Sequence, residues 1–149
     1  MKKFQFGLEN VLGYRQQVLE GRQNEYAKAA RMVQEQQEKL DQIQDHYSQL
    51  NHQFHERAAR GITAADAMGF EYGLRSLEQE ILRENRLLQT LQQEAEEKRS
   101  QMLQAHMDAT VLERLKEKKQ DAYRKEAQKS DERMIDEMVS AVRAVGLQA

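Results

Sequence analysis

An apolar or aromatic residue recurs every seven positions through the first half of the chain, and this repeat constrains the fold more than any other feature. The series consists of Leu12, Leu19, Tyr26, Val33, Leu40, Tyr47 and Phe54. A companion series is mixed in character and consists of Leu8, Arg15, Arg22, Ala29, Gln36, Ile43 and Leu50. The chain contains no proline, so the strongest helix breaker is absent. A sustained seven-residue repeat with charged flanks predicts a coiled coil.

A turn signal interrupts the repeat at residues 60–63. Gly61 can adopt a positive φ and end a helix, and Thr63 with Asp66 resembles a capping box that starts the next one. The repeat then resumes as Leu74, Ile81, Leu88, Ala95, Met102 and Ala109. Its companion series is Phe70, Leu77, Glu84, Leu91, Lys98, Ala105 and Leu112. The second half is therefore predicted to be another long helix.

The two halves match each other as the arms of a hairpin. Facing residues of an antiparallel pair have a constant sum of residue numbers, and a sum of 124 pairs Phe54 with Phe70 and Leu12 with Leu112. We predict an all-α fold in which two long helices form an antiparallel coiled-coil hairpin with an overhanging C-terminal helix. One domain spans residues 1–149, with helix one at about 5–58, a turn at about 59–63 and helix two at about 64–145.

Beyond about residue 117 the second helix outruns its predicted partner and carries an apolar stripe of its own. The stripe consists of Met134, Ile135, Met138, Val139 and Val142, followed by Val145. An apolar surface without an intrachain partner predicts a docking site. A second fold-back of the chain and a homodimer seam are the alternatives for this stripe.

The composition excludes several classes of protein. Only 39% of residues are hydrophobic and the formal net charge is -2, so no bulk attraction to nucleic acid or anionic lipid is expected. The absence of cysteine excludes disulfides and thiolate metal sites. No stretch approaches the roughly 20 apolar residues that a membrane span requires. We expect a soluble intracellular protein that does not insert into a membrane.

The sequence lacks the residue patterns that catalysis or cofactor binding requires. His52 and His55 are three positions apart and could reach one metal ion, but they lie at outward positions and no third ligand is evident. The serines lie inside helical pattern, and two paired helices offer no concave pocket. The glycines are scattered and form no phosphate loop. We predict no catalytic site, no cofactor and no metal.

A basic stretch leaves three interpretations open. It consists of Lys116, Lys118, Lys119, Arg124, Lys125 and Lys129. Interleaved acidic residues cancel most of its field, and they are Glu113, Glu117, Asp121, Glu126 and Asp131. Nucleic-acid binding is one interpretation, and a mixed-charge helix that protrudes into a polar protein channel is the second. A solvated helix with i,i+4 ion pairs is the third. We predict the second, without nucleic acid as a partner.

Several segments, in their order and spacing, resemble the flagellar FliJ family across nearly the whole chain. The first is Phe4-x-Phe6-x-Leu8-Glu9-x-Val11-Leu12-x-x-Arg15. The others are Leu112-Glu113-Arg114-Leu115-Lys116-Glu117-Lys118-Lys119, Tyr123-x-x-Glu126 and Asp136-Glu137. The Gly61 turn and the segment from Tyr72 to Leu77-Glu78 fall where that family has its hairpin tip.

The resemblance implies a cytoplasmic component of the bacterial flagellar type III protein export apparatus, with roles in flagellum biogenesis and motility. In that family the coiled coil is similar to the central stalk of rotary ATPases. It inserts into the hexameric ring of the export ATPase FliI, promotes assembly of the ring, contacts the export gate protein FlhA and handles export chaperones. The implied location is peripheral, at the cytoplasmic face of the inner membrane at the flagellar base.

By the same resemblance, two groups of residues are candidates for partner contacts. Those for the ATPase are Leu112, Arg114, Leu115, Lys116, Lys118, Lys119 and Tyr123. Those for the gate are Phe70, Tyr72 and Leu77. Gly73 and Glu80 depart from the larger or apolar residues of some relatives. A generic coiled-coil scaffold or adaptor outside flagella is the alternative function.

Overall fold

Two long helices make up nearly all of the chain. The structure is a computed structural model that describes residues 2–148, and side chains through residue 146. Helix α1 runs from Glu9–Arg60 and helix α2 from Ala64–Gln148, with no strand among the described residues. The two helices pack against each other, which confirms the predicted all-α fold class.

The helix boundaries follow from local hydrogen bonds. The N–H of Glu9 donates to the carbonyl of Phe6 at 3.1 Å, so α1 starts at Glu9 rather than near residue 5, and residues 2–6 lie outside the helix. Between the helices, Gly61 has a φ of 100°, a conformation that costs glycine nothing. The hydroxyl of Thr63 then accepts the N–H of Asp66 at 3.1 Å and caps α2.

The chain forms two compact units, each containing part of both helices. The turn unit is Glu20–Leu103, and the terminal unit is Met1–Leu19 with Gln104–Ala149. In the turn unit the rings of Phe54 and Phe70 lie 5.3 Å apart, as the constant-sum pairing predicts. In the terminal unit the side chains of Glu9 and Lys116 form an ion pair at 2.9 Å. Both units are therefore antiparallel helix pairs.

The core of each pair is a single seam. The buried hydrophobic residues of the turn unit are Leu40, Leu77, Leu88 and Ala95, and those of the terminal unit are Phe6, Leu12, Ala105 and Ala109. Small residues at the seam allow the two helices to approach closely. Gly73 has this role, because a Cβ at its position would lie only 3.0 Å from Cδ2 of Leu50. A narrow core leaves most of both helix surfaces polar and exposed.

One polar layer interrupts the seam of the turn unit. Gln36 is buried, and its side-chain amide donates to the backbone carbonyl of Glu84 at 3.1 Å and also to its carboxylate. Lys39 Nζ lies 3.3 Å from the same carboxylate. The hydrogen bond from Gln36 makes the largest contribution to holding the pKa of the Glu84 carboxyl below its ordinary value, and the hydrogen bond from Lys39 makes the next largest. A buried polar layer of this kind fixes the register of a helix pair.

The lowered pKa of Glu84 predicts a specific pH dependence of stability. Because the folded state favours the ionised form, the Glu84 carboxylate contributes stability that is fully present above the ordinary pKa of a glutamate carboxyl. This contribution is lost as pH falls through the lowered pKa of the folded state. We expect the free energy of unfolding to be lower for Glu84→Gln than for the wild type at pH 7, measured in urea. The difference should shrink at pH 3, whereas Glu94→Gln, an exposed control on the same helix, should show no such pattern. An equal difference at both pH values would contradict the assignment.

Candidate protein-interaction surfaces

The N-terminal segment, residues 2–6, covers part of α2 in the terminal unit. The ring of Phe4 lies 5.6 Å from the ring of Tyr123 at a tilt of 52°, and the Tyr123 hydroxyl donates to the backbone carbonyl of Lys2. Phe6 is buried, with 7% of its surface exposed. Helix one, predicted from about residue 5, therefore starts later in the structure, and the covering segment has no counterpart among the predicted elements.

The N-terminal segment changes which of the sequence-predicted ATPase-contact residues are accessible. Tyr123 bonds to residues of this segment, and Lys116 pairs with Glu9. Leu112 and Leu115 are half-buried. The exposed members are Arg114, Lys118 and Lys119, and none of the three forms an ion pair with another described residue.

Two apolar residues extend this exposed group towards the turn. Met107 and Val111 have 53% and 66% of their surfaces exposed. Along α2, Met107, Val111, Arg114 and Lys118 follow one another at spacings of four, three and four residues. The four side chains therefore form one row on the outward face of α2, which we term the outward row. Neither Met107 nor Val111 is among the contact residues that the family resemblance suggests, although their four-residue spacing outside the seven-residue repeat is a usable signal.

The N-terminal segment supplies a test of the terminal unit. Phe6→Ala removes its buried anchor, so the segment should detach and local opening of α2 should become easier by about 1–2 kcal/mol. We expect hydrogen exchange of α2 amides near Tyr123 to accelerate about tenfold, measured by mass spectrometry. Gln5→Ala, which alters an exposed side chain of the same segment, should leave the exchange unchanged. Unaltered exchange in Phe6→Ala would show that the segment does not protect α2.

The patch that follows the turn presents one prominent side chain. Tyr72 is 77% exposed, whereas Leu77 is 8% exposed and belongs to the seam. Phe70 is half-buried between the Phe54 ring and the Arg57 guanidinium, which lies 5.6 Å from its ring centre. Of the three residues predicted to contact the gate, the structure therefore leaves only Tyr72 fully available on the surface.

The C-terminal stripe is open along its full length. The exposed fractions are 59% for Met134, 59% for Ile135, 62% for Met138, 43% for Val139 and 72% for Val142. Val145, also part of the stripe, is 69% exposed. All described side chains from 128 to 146 are exposed. Six large apolar residues on one helix without a described partner form a typical docking surface.

Metal sites and membrane-spanning segments have no candidate among the described residues. They contain no group of three or more His, Asp or Glu side chains placed to hold a metal ion. His52 lies 3.3 Å from Glu56 in an exposed pair. Within the same residues, neither helix has a segment long and apolar enough to cross a membrane. The fold therefore defines a protein of the all-helical hairpin class.

Comparison with known proteins identifies the family. The family model described as "Flagellar FliJ protein" matches residues 4–145, so the chain belongs to the FliJ family, a non-catalytic stalk or scaffold family of flagellar type III export. Among solved structures, CT670 from Chlamydia trachomatis, described as a proposed YscO homolog, is similar in fold with a TM-score of 0.53 and 19% identity. That similarity covers 99% of each chain. No curated protein matches significantly.

Proposed function

We propose that this protein acts as the stalk of the flagellar type III export apparatus and binds the ring of the export ATPase FliI. The observation that carries the proposal is the family match over residues 4–145, which covers both helices of the hairpin. A helix pair with a narrow apolar core and charged outer faces suits a stalk, since its surface is free for partners. The protein contributes binding and promotes ring assembly, and it catalyses no reaction of its own.

The outward row is the surface we assign to the ATPase. Arg114 and Lys118 carry exposed positive charge beside the exposed apolar Met107 and Val111, and Lys119 is exposed on the neighbouring flank. Contacts between exposed charges contribute about 0–1 kcal/mol each. Such weak contacts suit a stalk that must exchange subunit partners during a catalytic cycle, while the apolar residues add to the affinity.

The patch after the turn is the surface we assign to the export gate protein FlhA. Tyr72 projects from it at 77% exposure, and Met68, one turn earlier on α2, is 61% exposed. An exposed aromatic beside a methionine is a common composition for protein interfaces. Contacts with the ATPase, the gate and the export chaperones would hold the protein at the cytoplasmic face of the inner membrane without insertion.

Charge reversal on the outward row tests the proposal. We expect the wild type to increase both ring formation and the ATPase rate of FliI in the presence of ATP. Arg114→Glu with Lys118→Glu should reduce this stimulation about three- to tenfold, because two exposed contacts of about 0–1 kcal/mol become repulsive. The measurements are ATP hydrolysis and ring assembly followed by electron microscopy.

A matched control separates the surface from the net charge. Lys28→Glu with Arg31→Glu makes the same change of charge at two exposed positions of α1 in the turn unit. This variant should stimulate FliI as the wild type does. Absence of any stimulation by the wild type would contradict the stalk function, and an equal loss in both variants would contradict the assignment of the surface.

A further inference from the structure

We propose that one edge of the terminal unit binds a third helix, an amphipathic helix with acidic flanks that a protein partner supplies. The inference rests on the proposed function for the role of this surface, because Val111 and Lys118 belong to the outward row. It adds a second half of the surface, contributed by α1, and it specifies the chemistry of the partner element.

Two contacts mark the two edges along which α1 and α2 meet in the terminal unit. On one edge, Arg15 forms an ion pair with Asp108 at 3.6 Å. On the other edge, the side-chain amide of Gln16 donates to the Glu113 carboxylate at 3.4 Å. The buried Leu12 lies between Arg15 and Gln16 around α1, so the two contacts are on opposite sides of the seam.

The edge marked by Arg15 and Asp108 is apolar above and below this ion pair. Repeated steps of three, four or seven residues from either member stay on the same side of its helix. On α1 and α2 these steps reach five apolar residues, which we term the apolar edge. Its members are Val11, Tyr14, Val18, Val111 and Leu115.

Water still reaches the apolar edge. Val11, Tyr14 and Val111 have 43%, 61% and 66% of their surfaces exposed, and Val18 and Leu115 are half-buried. The opposite edge has the polar character expected of a helix surface in water, with Glu9, Gln16 and Glu113 among its residues. An apolar surface on one edge alone, with residues from both helices, indicates a binding site for a partner.

The shape of the apolar edge suits a helix. It lies along the groove between two packed helices, where a third helix can contact both of them at once. From Val11 to Val18 it extends about 10 Å along α1, which matches about two turns of a partner helix. Such grooves take amphipathic helices whose apolar residues recur at i, i+3, i+4 and i+7.

The charges beside the apolar edge are positive. Lys118 and Lys119 follow Leu115 by three and four residues, so they lie on its side of α2. Both lysines are exposed, and neither forms an ion pair with another described residue. By contrast, Glu113 and Glu117 are each two residues from Leu115, about 200° around the helix.

The partner helix should therefore be acidic. The charge of Asp108 is offset by Arg15 within the chain, which leaves Lys118 and Lys119 as the charges that a ligand meets. Complementary charge favours acidic flanks on the ligand. Two copies of this chain that met at this edge would bring their lysines into one interface, and like charges disfavour that arrangement.

A pair of model peptides tests the chemistry of the ligand. The first is a stapled helix of about fourteen residues with a leucine stripe flanked by glutamate, and the second has lysine in place of every glutamate. We expect the full chain to bind the glutamate peptide with a dissociation constant of about 10–100 µM, measured by fluorescence anisotropy. The lysine peptide should bind at least tenfold more weakly. Absence of binding by the glutamate peptide, or equal binding of both, would overturn the proposal.

Matched variants locate the site on the apolar edge. Val11→Glu places a negative charge on the edge and should weaken binding of the glutamate peptide about tenfold. Gln17→Glu adds the same charge about 120° around α1 from Val11, at an exposed position, and should leave binding unchanged. Circular dichroism should show the same helix content for both variants. An equal effect of the two would overturn the proposal.

Charge reversal tests the role of the lysines. Lys118→Glu with Lys119→Glu should weaken binding of the glutamate peptide about three- to tenfold and strengthen binding of the lysine peptide. An unchanged preference would contradict the acidic partner. Sedimentation of the peptide-free chain should show no dimer that Val11→Glu abolishes, since such a dimer would assign the edge to a second copy.

The peptide measurements and the FliI measurements can fail separately. Stimulation of FliI by a wild type that does not bind the glutamate peptide would retain the stalk function and overturn the third-helix groove. Binding of the peptide at the apolar edge without any stimulation of FliI would retain the groove and contradict the stalk function.

Discussion

The pairing of two narrow apolar seams is the interaction on which the rest of this structure depends. Leu40, Leu77 and Leu88 in the turn unit, with Leu12 and Ala109 in the terminal unit, are among the few residues removed from water. Burial of apolar surface is the main stabilising contribution available to such a chain. Since one seam per helix is enough to hold the pair, the remaining faces stay free to bind other proteins, as the proposed function requires.

Local sequence determines the hairpin almost completely, because its determinants are short-range or periodic. The seven-residue repeat, Gly61 and the Thr63 cap predict two helices and the turn between them, and the structure has these elements. The N-terminal segment could not be predicted in this way. Its position depends on contacts with Tyr123, more than a hundred residues away, and no local pattern specifies a contact at that separation.

Family resemblance and helix periodicity gave different information about the candidate site. The repeat already placed Leu77 in the seam, where the structure has it, although the resemblance suggested it as a gate contact. Lys116 and Tyr123 are engaged by the chain's own N-terminal part. Arg114 and Lys118 are exposed as a contact residue must be. Burial within the hairpin therefore separates residues that can meet a partner from those that support the fold.

The antiparallel pairing of the two helices within one molecule is tested most directly by a distance far from the turn. Glu25 and Lys98 lie on different helices of the turn unit, with side chains 3.5 Å apart. Spin labels on cysteines at these two positions, diluted with unlabelled protein, should show a separation of about 20 Å or less, as expected for packed helices. A separation approaching the roughly 110 Å of one continuous helix, or a short distance that vanishes on dilution, would contradict the hairpin.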